Sequence, residues 1–342
     1  MILNLKTKQS EDKILQFVKT SSRPFFTNSI LNWQYSNDQS DLLFIEQKAS
    51  IKGTQGMIFH ELYDWEKLIT YKSFKSETTF VSDELRGTGA FENLYQSAID
   101  YTKNQEAIFI WGFTALSKVW RNKLNFNVNE KIIHEAYLDL KIKSGRNSLT
   151  LFKSIFTSLK VKVRILLFKK RNDLDFCEHS NLVRDLPPLQ KKISAQNKFI
   201  ELDLTEEFCE WRMKKNPLLK YTMLSFSGDN GHVQGYVIFN LLDKTLRISD
   251  YNSVSSIEST DVLHELVKIA NKYGCNQLSF FANSNNSINK SLFSAFQDFG
   301  GSVKINKNMN FVLKSFLNDT DTEINEFSSW RINGLWTEGF TF

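Results

Sequence analysis

The sequence contains little cysteine, and its cysteines lie far apart along the chain. Cys177, Cys209 and Cys275 form no Cys-x-x-Cys pair, and no histidine lies beside them at metal-ligand spacing. A disulfide framework or a zinc site needs such clusters. We therefore expect three reduced, buried thiols and no bound metal.

The chain also lacks an apolar run long enough to cross a membrane. The longest candidate, residues 149–168, is interrupted by basic residues whose charges are too costly to bury together in hydrocarbon: Lys153, Lys160, Lys162 and Arg164. The first residues mix charged with apolar side chains and contain no signal-peptide pattern. These absences predict a soluble, cytoplasmic protein.

A strong charge of one sign is missing as well. The chain has 43 Lys and Arg against 38 Asp and Glu, a net charge of +5, which argues against a nucleic-acid partner. Residues 141–171, however, contain no acidic residue among many basic ones. This stretch reads first as a solvated connector; contact of a basic amphipathic helix with an anionic membrane surface is a less favoured interpretation, and attraction of an anionic substrate is a third.

What is present is a pattern that occurs twice. With 342 residues and 41% hydrophobic content, the chain can form two domains. Each half is predicted to contain strands joined by a glycine-bearing turn (Gly53–Gly56 and Gly228–Gly231), then a strand, a helix and a strand. The predicted strand, helix and strand are residues 78–82, 90–103 and 107–112 in the first half, and 245–250, 260–273 and 277–281 in the second.

The repeated order predicts an α/β (mixed α+β) fold with two tandem domains, each a mixed, mostly antiparallel sheet flanked by helices. We predict an N-terminal domain over residues 1–140 and a C-terminal domain over residues 196–342. Residues 141–195, with the Leu186-Pro187-Pro188 break, form the predicted basic connector.

One turn in the first half is suited to bind phosphate. Phe80, Val81 and Ser82 end a predicted strand, and Gly87 and Gly89 lead directly into a helix. Backbone amides at such a helix start converge on an anion, and glycine allows the required positive φ. The segment is neither a Walker loop nor a complete dinucleotide-binding fingerprint.

This turn resembles the R/Q-x-x-G-x-G/A loop of the GNAT superfamily of acyl-CoA transferases, with Phe91 in place of the last small residue. The resemblance implies acyl-CoA as the cofactor, a backbone amide near Val81 that holds the oxyanion, and no metal. It assigns CoA binding to Phe80, Val81, Ser82, Arg86, Gly87, Thr88, Gly89, Ala90 and Phe91.

The residues that would transfer protons are not identified. The segment Thr114 to Phe126 is similar to a GNAT helix that often carries a tyrosine general acid, but Arg121 stands at the tyrosine position. His60 and His134, each followed by a glutamate, are candidate bases by type, although a surface role is the favoured interpretation. The catalytic side chains are therefore left unknown.

Two further segments resemble the W-x-Y-x-x-N-P start of tandem GNAT proteins encoded in bacterial surface-polysaccharide clusters. These segments are Trp33-x-Tyr35-x-Asn37, and Trp211-Arg212 with Asn216-Pro217. The resemblance implies transfer of an acetyl or short hydroxyacyl group, such as 3-hydroxybutanoyl, to the amine of a nucleotide-linked (dTDP) amino deoxysugar. The expected acceptor contacts are Trp33, Tyr35, Tyr63, Trp211, Arg212 and Tyr221.

The second half lacks the glycine loop, since residues 248–256 contain no glycine and include Asp250 where an anion would lie. We expect this half to shape the acceptor site without binding CoA. Two alternatives stay open: the same chemistry on an amino acid, peptide or tRNA-borne amine, and a non-catalytic binding module. The oligomeric state is not predicted.

Overall fold

The structure is a computed structural model of the chain. It describes residues 2–5, 7, 10–21, 26–141, 159, 161–168, 174–254, 259–317 and 327–337. These residues form two compact units. The N-unit comprises Met1–Asp64, Leu68–Glu130 and Lys307–Asn325, and the C-unit comprises Trp65–Lys67, Lys131–Asn306 and Glu326–Phe342.

The N-unit contains a sheet flanked by helices. Its elements are β1 (Ile2–Leu5), α1 (Glu11–Ser21), α2 (Asn28–Gln34), β2 (Asp41–Gln47), β3 (Ser50–Asp64), β4 (Ile69–Val81), α3 (Ala90–Asn104), β5 (Phe109–Thr114), α4 (Ser117–Leu124), β6 (Asn127–Asn129) and, from the end of the chain, β15 (Asn310–Ser315).

The C-unit has the same plan. Its elements are β7 (Ile133–Asp139), α5 (residues 161–167), β8 (Asp175–His179), α6 (Leu182–Ser194), β9 (Ile200–Leu202), α7 (Glu206–Cys209), β10 (Tyr221–Ser227), β11 (Val233–Leu242), β12 (Thr245–Ser253), α8 (Ser259–Lys272), β13 (Gln277–Asn283), α9 (Ser287–Asp298) and β14 (Ser302–Ile305). Two single helical turns follow, at Phe327–Ser329 and Gly334–Trp336.

The two sheets have matching strand orders. The N-unit order is β1-β2-β3-β4-β5-β15-β6, and the C-unit order is β8-β10-β11-β12-β13-β7-β14. In each sheet one central pair, β4 with β5 or β12 with β13, is parallel, and its neighbours are antiparallel. The predicted mixed, mostly antiparallel sheets are confirmed.

The strand next to β5 comes from the end of the chain, and the strand next to β13 comes from its first half. β15 pairs with β5 and β6, whereas β7 pairs with β13 and β14. Each half of the sequence therefore supplies one strand to the other sheet. The predicted boundaries at residues 140 and 196 assume that each domain is one continuous segment of the chain. They differ from the bounds of the two units, because each unit consists of several separate segments. Of the predicted connector, residues 142–158, 160 and 169–173 lie outside the described residues.

The glycine turn predicted at Gly53–Gly56 is wrong, because β3 continues through these residues. The turn lies at Lys48 and Ala49, whose φ angles of 49° and 60° suit a two-residue hairpin. Gly56 instead makes room for a side chain: a Cβ there would lie 1.8 Å from the Tyr35 hydroxyl oxygen. The equivalent prediction in the second half, Gly228–Gly231, agrees with the loop between β10 and β11.

The proline break also has a different structure, because Pro187 and Pro188 lie inside α6. Prolines within a helix remove backbone hydrogen bonds. Here the neighbouring side chains Leu186 and Ile193 are fully buried, and their packing holds the helix in place despite that loss. Asn181 caps the N-terminus of α6, and its side chain accepts a hydrogen bond from the Arg184 amide.

The core of each unit lies between its sheet and the helices that follow the parallel strands. α3 buries Leu94, Tyr95 and Ala98 against β3, β4 and β5, and α8 buries Leu263, Leu266 and Val267 in the C-unit. Cys209 and Cys275 are buried as expected, but Cys177 is exposed on β8, because Asp175–His179 is the edge strand of its sheet. Among the described residues, no helix is long and apolar enough to cross a membrane.

Candidate functional site

The site is built where two parallel strands of the N-unit separate. β4 and β5 pair from Ser73–Phe109 to Lys75–Trp111, and the register ends there. Beyond it β4 runs on to Val81 and β5 to Thr114. The two strands therefore diverge toward their carboxyl ends and leave a cleft between them.

A cavity of about 940 Å³ occupies this cleft. Its size falls within the range of about 300–1,000 Å³ that is common for sites of small organic ligands. The cavity is lined by the open end of β4, the following turn, the starts of α3 and α4, the end of β5 and part of α1: Phe17, Thr20, Ser21, Ser76, Glu77, Thr78, Thr79, Phe80, Val81, Ser82, Asp83, Leu85, Arg86, Gly87, Phe91, Glu92, Phe113, Thr114, Leu116, Val119, Trp120 and Lys123.

A β-bulge lies on the β4 edge of the cavity. Thr54 pairs with Phe80 and Gly56 with Glu77, so Thr78 and Thr79 together oppose Gln55. Thr78 has a φ of 52°, which is an unfavourable conformation for a β-branched residue. Bulges re-aim backbone groups and are frequent beside functional sites.

Side chains on both sides of the bulge hold it in place. The Thr54 hydroxyl donates to the Thr78 carbonyl oxygen at 2.8 Å, and the Tyr35 hydroxyl donates to Thr78 Oγ1 at 3.1 Å. Thr79 Oγ1 donates to Gln55 Oε1 at 2.7 Å, and Gln55 Nε2 donates to Ser76 Oγ at 2.9 Å. This network offsets the cost of the strained backbone.

The hydroxyl of Tyr95 lies directly behind the bulge. It is 2.6 Å from Ser76 Oγ and 3.3 Å from Thr79 Oγ1. Burial raises the pKa of Tyr95 well above its ordinary value. The phenol therefore stays protonated and supports the bulge through hydrogen bonds to cavity-lining residues.

The turn after β4 has the geometry expected for an anion site. Gly87 and Gly89 have φ angles of 78° and 83°, and a Cβ at either position would meet no atom within 4 Å. Gly89 precedes α3 without a side-chain cap. Within the described part of the chain, the amides of Gly87, Gly89 and Ala90 donate to no protein acceptor. These donors and the helix dipole favour a negative charge at this point.

The predicted CoA-binding residues occupy two positions relative to the cavity. Phe80, Val81, Ser82, Arg86, Gly87 and Phe91 line it, whereas Thr88, Gly89 and Ala90 form the rest of the turn and the helix start. Arg86 is largely exposed and pairs with Asp83 at 2.8 Å. A surface pair of this kind is weak, so the guanidinium can exchange Asp83 for a bound phosphate at little cost.

The wall opposite β4 is apolar. Phe113, Leu116, Val119 and Trp120 line it, and the Trp120 ring packs edge-on against Tyr95 at 4.7 Å between centroids. No tyrosine is among the lining residues of this cavity.

Two charged residues of α4 have different surroundings. Lys123 lines the cavity and pairs with Glu92 at 2.6 Å, while Arg121 pairs with Glu130 at 3.1 Å and is not among the lining residues.

One carboxylate enters the cavity from the sheet itself. Glu77 lines it immediately before the bulge and pairs with Lys75 at 2.8 Å; their side chains are 13% and 2% exposed. His60 lies on the neighbouring strand and is buried, with its ring 5.4 Å from that of Trp111. The favoured interpretation of His60 as a surface residue is therefore wrong, because β3 is a central strand covered on both faces.

The corresponding space in the C-unit is filled. β12 and β13 pair from Thr245–Gln277 to Ile248–Phe280 and then continue separately. Residues 327–337, which we call the plug, lie across the two strand ends: Asn333 bridges Ala282, and the Asn283 amide donates to the Ile332 carbonyl at 3.0 Å.

β12 also has a bulge, at Ser249. A Cβ added to Gly334 of the plug would lie 3.1 Å from the Ser249 backbone. The plug therefore covers the bulge that corresponds to the open one in β4.

A buried charge cluster anchors the plug. The guanidinium of Arg331 donates to the carboxylates of Glu201 and Asp250, and all three side chains are at most 1% exposed. Burial alone lowers the pKa of Arg331, but Asp250 and Glu201 outweigh it and raise the pKa well above its ordinary value. Asp250, which the sequence suggested as an obstacle to an anion, is thus fully paired inside the C-unit.

The residues predicted to contact the acceptor are distributed over both units. In the N-unit, Trp33 and Tyr35 are buried in and just after α2, and Tyr63 lies on β3 outside the lining of the cleft. Tyr35 supports the bulge through its hydrogen bond to Thr78 Oγ1. The structure therefore does not bring these three residues together around the cavity.

In the C-unit, Tyr221 lines a smaller cavity of about 220 Å³ with Glu135, Tyr137, Arg247 and Asn240. The buried guanidinium of Arg212 lies 5.6 Å from the Tyr221 ring and donates to the Leu335 and Thr337 carbonyls. Trp211 packs against Phe208. His134 is half-buried beside the Ile132 carbonyl, away from both cavity linings.

Glu77, Thr78 and Phe17 line the site, but the sequence did not indicate them. Glu77 and Thr78 lie in a run of polar residues within β4, and period-2 alternation gives no sign of a bulge. Phe17 belongs to α1, which is distant in sequence from the loop, so no local pattern pointed to it.

Comparison with solved structures shows which fold this arrangement belongs to. The chain is similar to a conserved protein of unknown function from Enterococcus faecalis, described as a probable N-acyltransferase, with a TM-score of 0.64 and 8% identity over 92% of this chain and 72% of that one. It is also similar to a GCN5-related N-acetyltransferase from Kribbella flavida, with a TM-score of 0.61 and 10% identity over 92% and 72%.

A third similar structure is Saccharomyces cerevisiae N-myristoyltransferase with bound myristoyl-CoA, with a TM-score of 0.54 and 9% identity over 91% of this chain and 82% of that one. No family model matches the sequence, and no curated protein matches it either. The GNAT fold predicted from the glycine loop and the repeated halves is confirmed. At these identities the likeness concerns the fold alone.

Proposed function

We propose that this chain is an acyl-CoA-dependent N-acyltransferase whose reaction takes place in the cleft of the N-unit. The observation that carries the proposal is the separation of β4 from β5 beside a glycine turn with free amides, since this provides both a slot and an anion site at one end of it. The yeast neighbour with bound myristoyl-CoA supports the choice of cofactor.

The cofactor would bind along the edge of β4. Its pyrophosphate fits the amides of Gly87, Gly89 and Ala90 with Arg86, and its amide-containing arm can pair with the backbone of residues 76–81, as an added strand does. The acyl chain would lie against the apolar wall formed by Phe113, Val119 and Trp120.

The reaction we propose has no covalent enzyme intermediate. The neutral acceptor amine attacks the thioester carbonyl, a C–N bond forms, and the C–S bond then breaks to release CoA. A backbone amide of β4 between the bulge and Val81 would hold the oxyanion, because bulged backbone turns a donor toward the cleft.

Glu77 is the carboxylate we assign to the acceptor amine. It lines the cavity beside the bulge, and Lys75 holds its carboxylate in place. In that position it would accept a hydrogen bond from the attacking N–H and take up the proton released on attack. The thiolate would take its proton from water or from the Lys123 ammonium, which lines the cleft.

For the acceptor we propose a nucleotide-linked amino deoxysugar, with a dTDP-linked sugar as the first choice. This choice rests on the resemblance of the Trp33–Asn37 and Trp211–Pro217 segments to tandem sugar acyltransferases.

Calorimetric titration of CoA into the purified chain tests the cofactor. We expect micromolar binding that the double variant Arg86→Ala, Gly89→Asp abolishes. The matched control is Arg121→Ala, Gly274→Asp, which alters another exposed, paired arginine and a C-unit glycine with a φ of 70° and open surroundings; it should bind like the wild type. Absence of binding by the intact chain would overturn the transferase proposal and favour a non-catalytic module.

Mass spectrometry of products then tests the acceptor. The chain is incubated with acetyl-CoA or 3-hydroxybutanoyl-CoA and, in separate reactions, a dTDP-amino sugar, an amino acid, a peptide and an aminoacyl-tRNA. Acylation of the sugar nucleotide alone is the expected result; acylation of another amine would replace the acceptor but keep the reaction. Glu77→Gln should lower kcat while CoA still binds.

A further inference from the structure

The helix α5 presents apolar side chains to solvent on one face. Val163, Leu166 and Leu167 are 44%, 82% and 75% exposed. Their spacing of three and one residues puts them on a single helical stripe. Large leucines exposed together in this way are unusual on a soluble surface and indicate a binding partner.

The opposite face of α5 is fixed to the C-unit. Val161 is fully buried, and Ile165 and Phe168 pack against the C-unit core. The Arg164 guanidinium donates to the Gln297 and Asp298 carbonyls at 3.0 and 2.6 Å, at the end of α9. The stripe is therefore held outward by the fold.

The stripe lies beside a basic residue in the described structure and within a basic stretch of sequence. Lys162 is exposed on α5, and the sequence from Lys141 to Arg171 contains no acidic residue. Apolar residues with adjacent lysines and arginines are the features that bind a helix flat to the interface of an anionic bilayer.

We propose that α5 docks this protein on an anionic membrane surface. A nucleic acid would match the charge but leaves the exposed leucines unexplained. A second copy of the chain would bring two basic helices together, and their repulsion opposes such a dimer. An anionic lipid surface satisfies both the leucines and the lysines, and the sequence alone could not show that the leucines face outward.

Co-sedimentation of the full chain with vesicles tests the proposal. The wild type should pellet with phosphatidylcholine vesicles that contain phosphatidylglycerol, should stay in solution with phosphatidylcholine alone, and should be released by salt. In Leu166→Ser, Leu167→Ser the partition coefficient should fall about tenfold or more, since two apolar side chains no longer enter the lipid. The matched control Leu218→Ser, Leu241→Ser changes leucines that are 43% and 42% exposed elsewhere in the C-unit, and should bind normally.

A fluorophore on the stripe provides a second measurement. Leu166→Cys in a Cys177→Ser background leaves the buried Cys209 and Cys275 unlabelled. An environment-sensitive dye at position 166 should shift to shorter wavelength with anionic vesicles, and an unchanged spectrum would overturn the proposal.

Three other outcomes would overturn it as well. One is wild-type protein that stays in solution with anionic vesicles, and another is vesicle binding that is equal in the leucine variant. The third is a partner of another class: duplex DNA bound without vesicle binding, or a dimer in light scattering that Leu166→Ser, Leu167→Ser dissociates.

Discussion

The two sheets of this protein have matching strand orders, yet the space between their parallel strands is open in the N-unit and filled in the C-unit. In the N-unit the ends of β4 and β5 line a cavity of about 940 Å³. In the C-unit the ends of β12 and β13 carry the plug, whose Trp330, Arg331, Ile332 and Trp336 are at most 1% exposed. The same backbone plan thus serves as a slot in one unit and as a core in the other.

The bulges show the same difference on a smaller scale. Thr78 has a positive φ and faces the cleft, whereas the bulge at Ser249 has no positive φ and is covered by Gly334. Backbone strain is thus present at the bulge that lines the open cavity and absent at the bulge that is packed beneath the plug. The same pair of diverging strands is left open in the N-unit and is filled by the chain itself in the C-unit.

The largest expected effect comes from removing the anchor of the plug. Arg331→Met leaves Asp250 and Glu201 buried without their cation, so we expect a loss of about 3–5 kcal/mol in the free energy of unfolding, measured by urea denaturation. The exposed pair of Arg121 and Glu130 is the control, and Arg121→Met should cost less than about 1 kcal/mol. Equal losses would mean that the charge cluster does not hold the plug.

The packing beneath the open bulge gives the next effect. Gly56→Ala puts a methyl group 1.8 Å from the Tyr35 hydroxyl oxygen, and overpacking of this kind costs about 1–3 kcal/mol. In a Tyr35→Phe background the same substitution should cost less, because the closest contact is gone and only those with the ring carbon at 2.8 Å and the Glu77 carbonyl oxygen at 2.9 Å remain. Thermal unfolding of the four proteins measures this coupling; additive losses would show that Tyr35 does not occupy the space beside Gly56.

The two bulges should respond differently to glycine. Thr78→Gly relieves a left-handed conformation that costs about 1–2 kcal/mol, and this gain roughly offsets the lost Tyr35 hydrogen bond and the added flexibility. Ser249→Gly relieves nothing and removes the acceptor of Asn240 Nδ2 at 2.9 Å, so it should destabilise by about 1–2 kcal/mol. Urea midpoints that move alike in the two variants would contradict the assignment of strain to the open bulge.

The smallest expected effect is a dependence of stability on pH that arises from Glu92, which lines the cleft. The hydrogen bond from Lys123 lowers the pKa of the Glu92 carboxyl below its ordinary value. A depressed carboxyl pKa stabilises the fold above the unfolded value and loses that contribution as pH falls through the folded value. The stability difference between wild type and Glu92→Gln should therefore be small at neutral pH, because the pair is exposed, and should vanish in acid. A difference that grows as the pH is lowered into the acid range would have the wrong sign.

Much of the fold could be predicted from local patterns. Residues 90–103 were predicted as a helix and α3 is Ala90–Asn104; residues 260–273 were predicted and α8 is Ser259–Lys272. Each of these helices has one apolar face, and the spacing of apolar residues in the sequence predicts such a helix directly. The prediction of a turn at Gly53–Gly56 was wrong because glycine occurs both in turns and where side chains pack closely against the backbone. The sequence does not distinguish these two roles of glycine.

The candidate site could be predicted only where it is continuous in sequence. The strand, the glycines and the helix start around Arg86 are neighbours in sequence, so a local pattern indicates that they form one turn. Phe17, Trp120 and Lys123 enter the same cavity from α1 and α4, and nothing local marks them. The exposure of Cys177 and the burial of His60 likewise depend on which strand is an edge and which is central.

By itself the sequence determined the strand, helix and strand of each half, the duplication and the glycine turn after β4, because each follows from periodicity or from glycine at neighbouring positions. Only the tertiary structure decided that β7 and β15 are exchanged between the sheets, and that Arg331 meets Asp250 and Glu201 from 81 and 130 residues away. Pairing between distant strands depends on sheet edges that exist only in the folded protein. Charged residues that are distant in sequence pair with each other only when the fold buries them together, away from water.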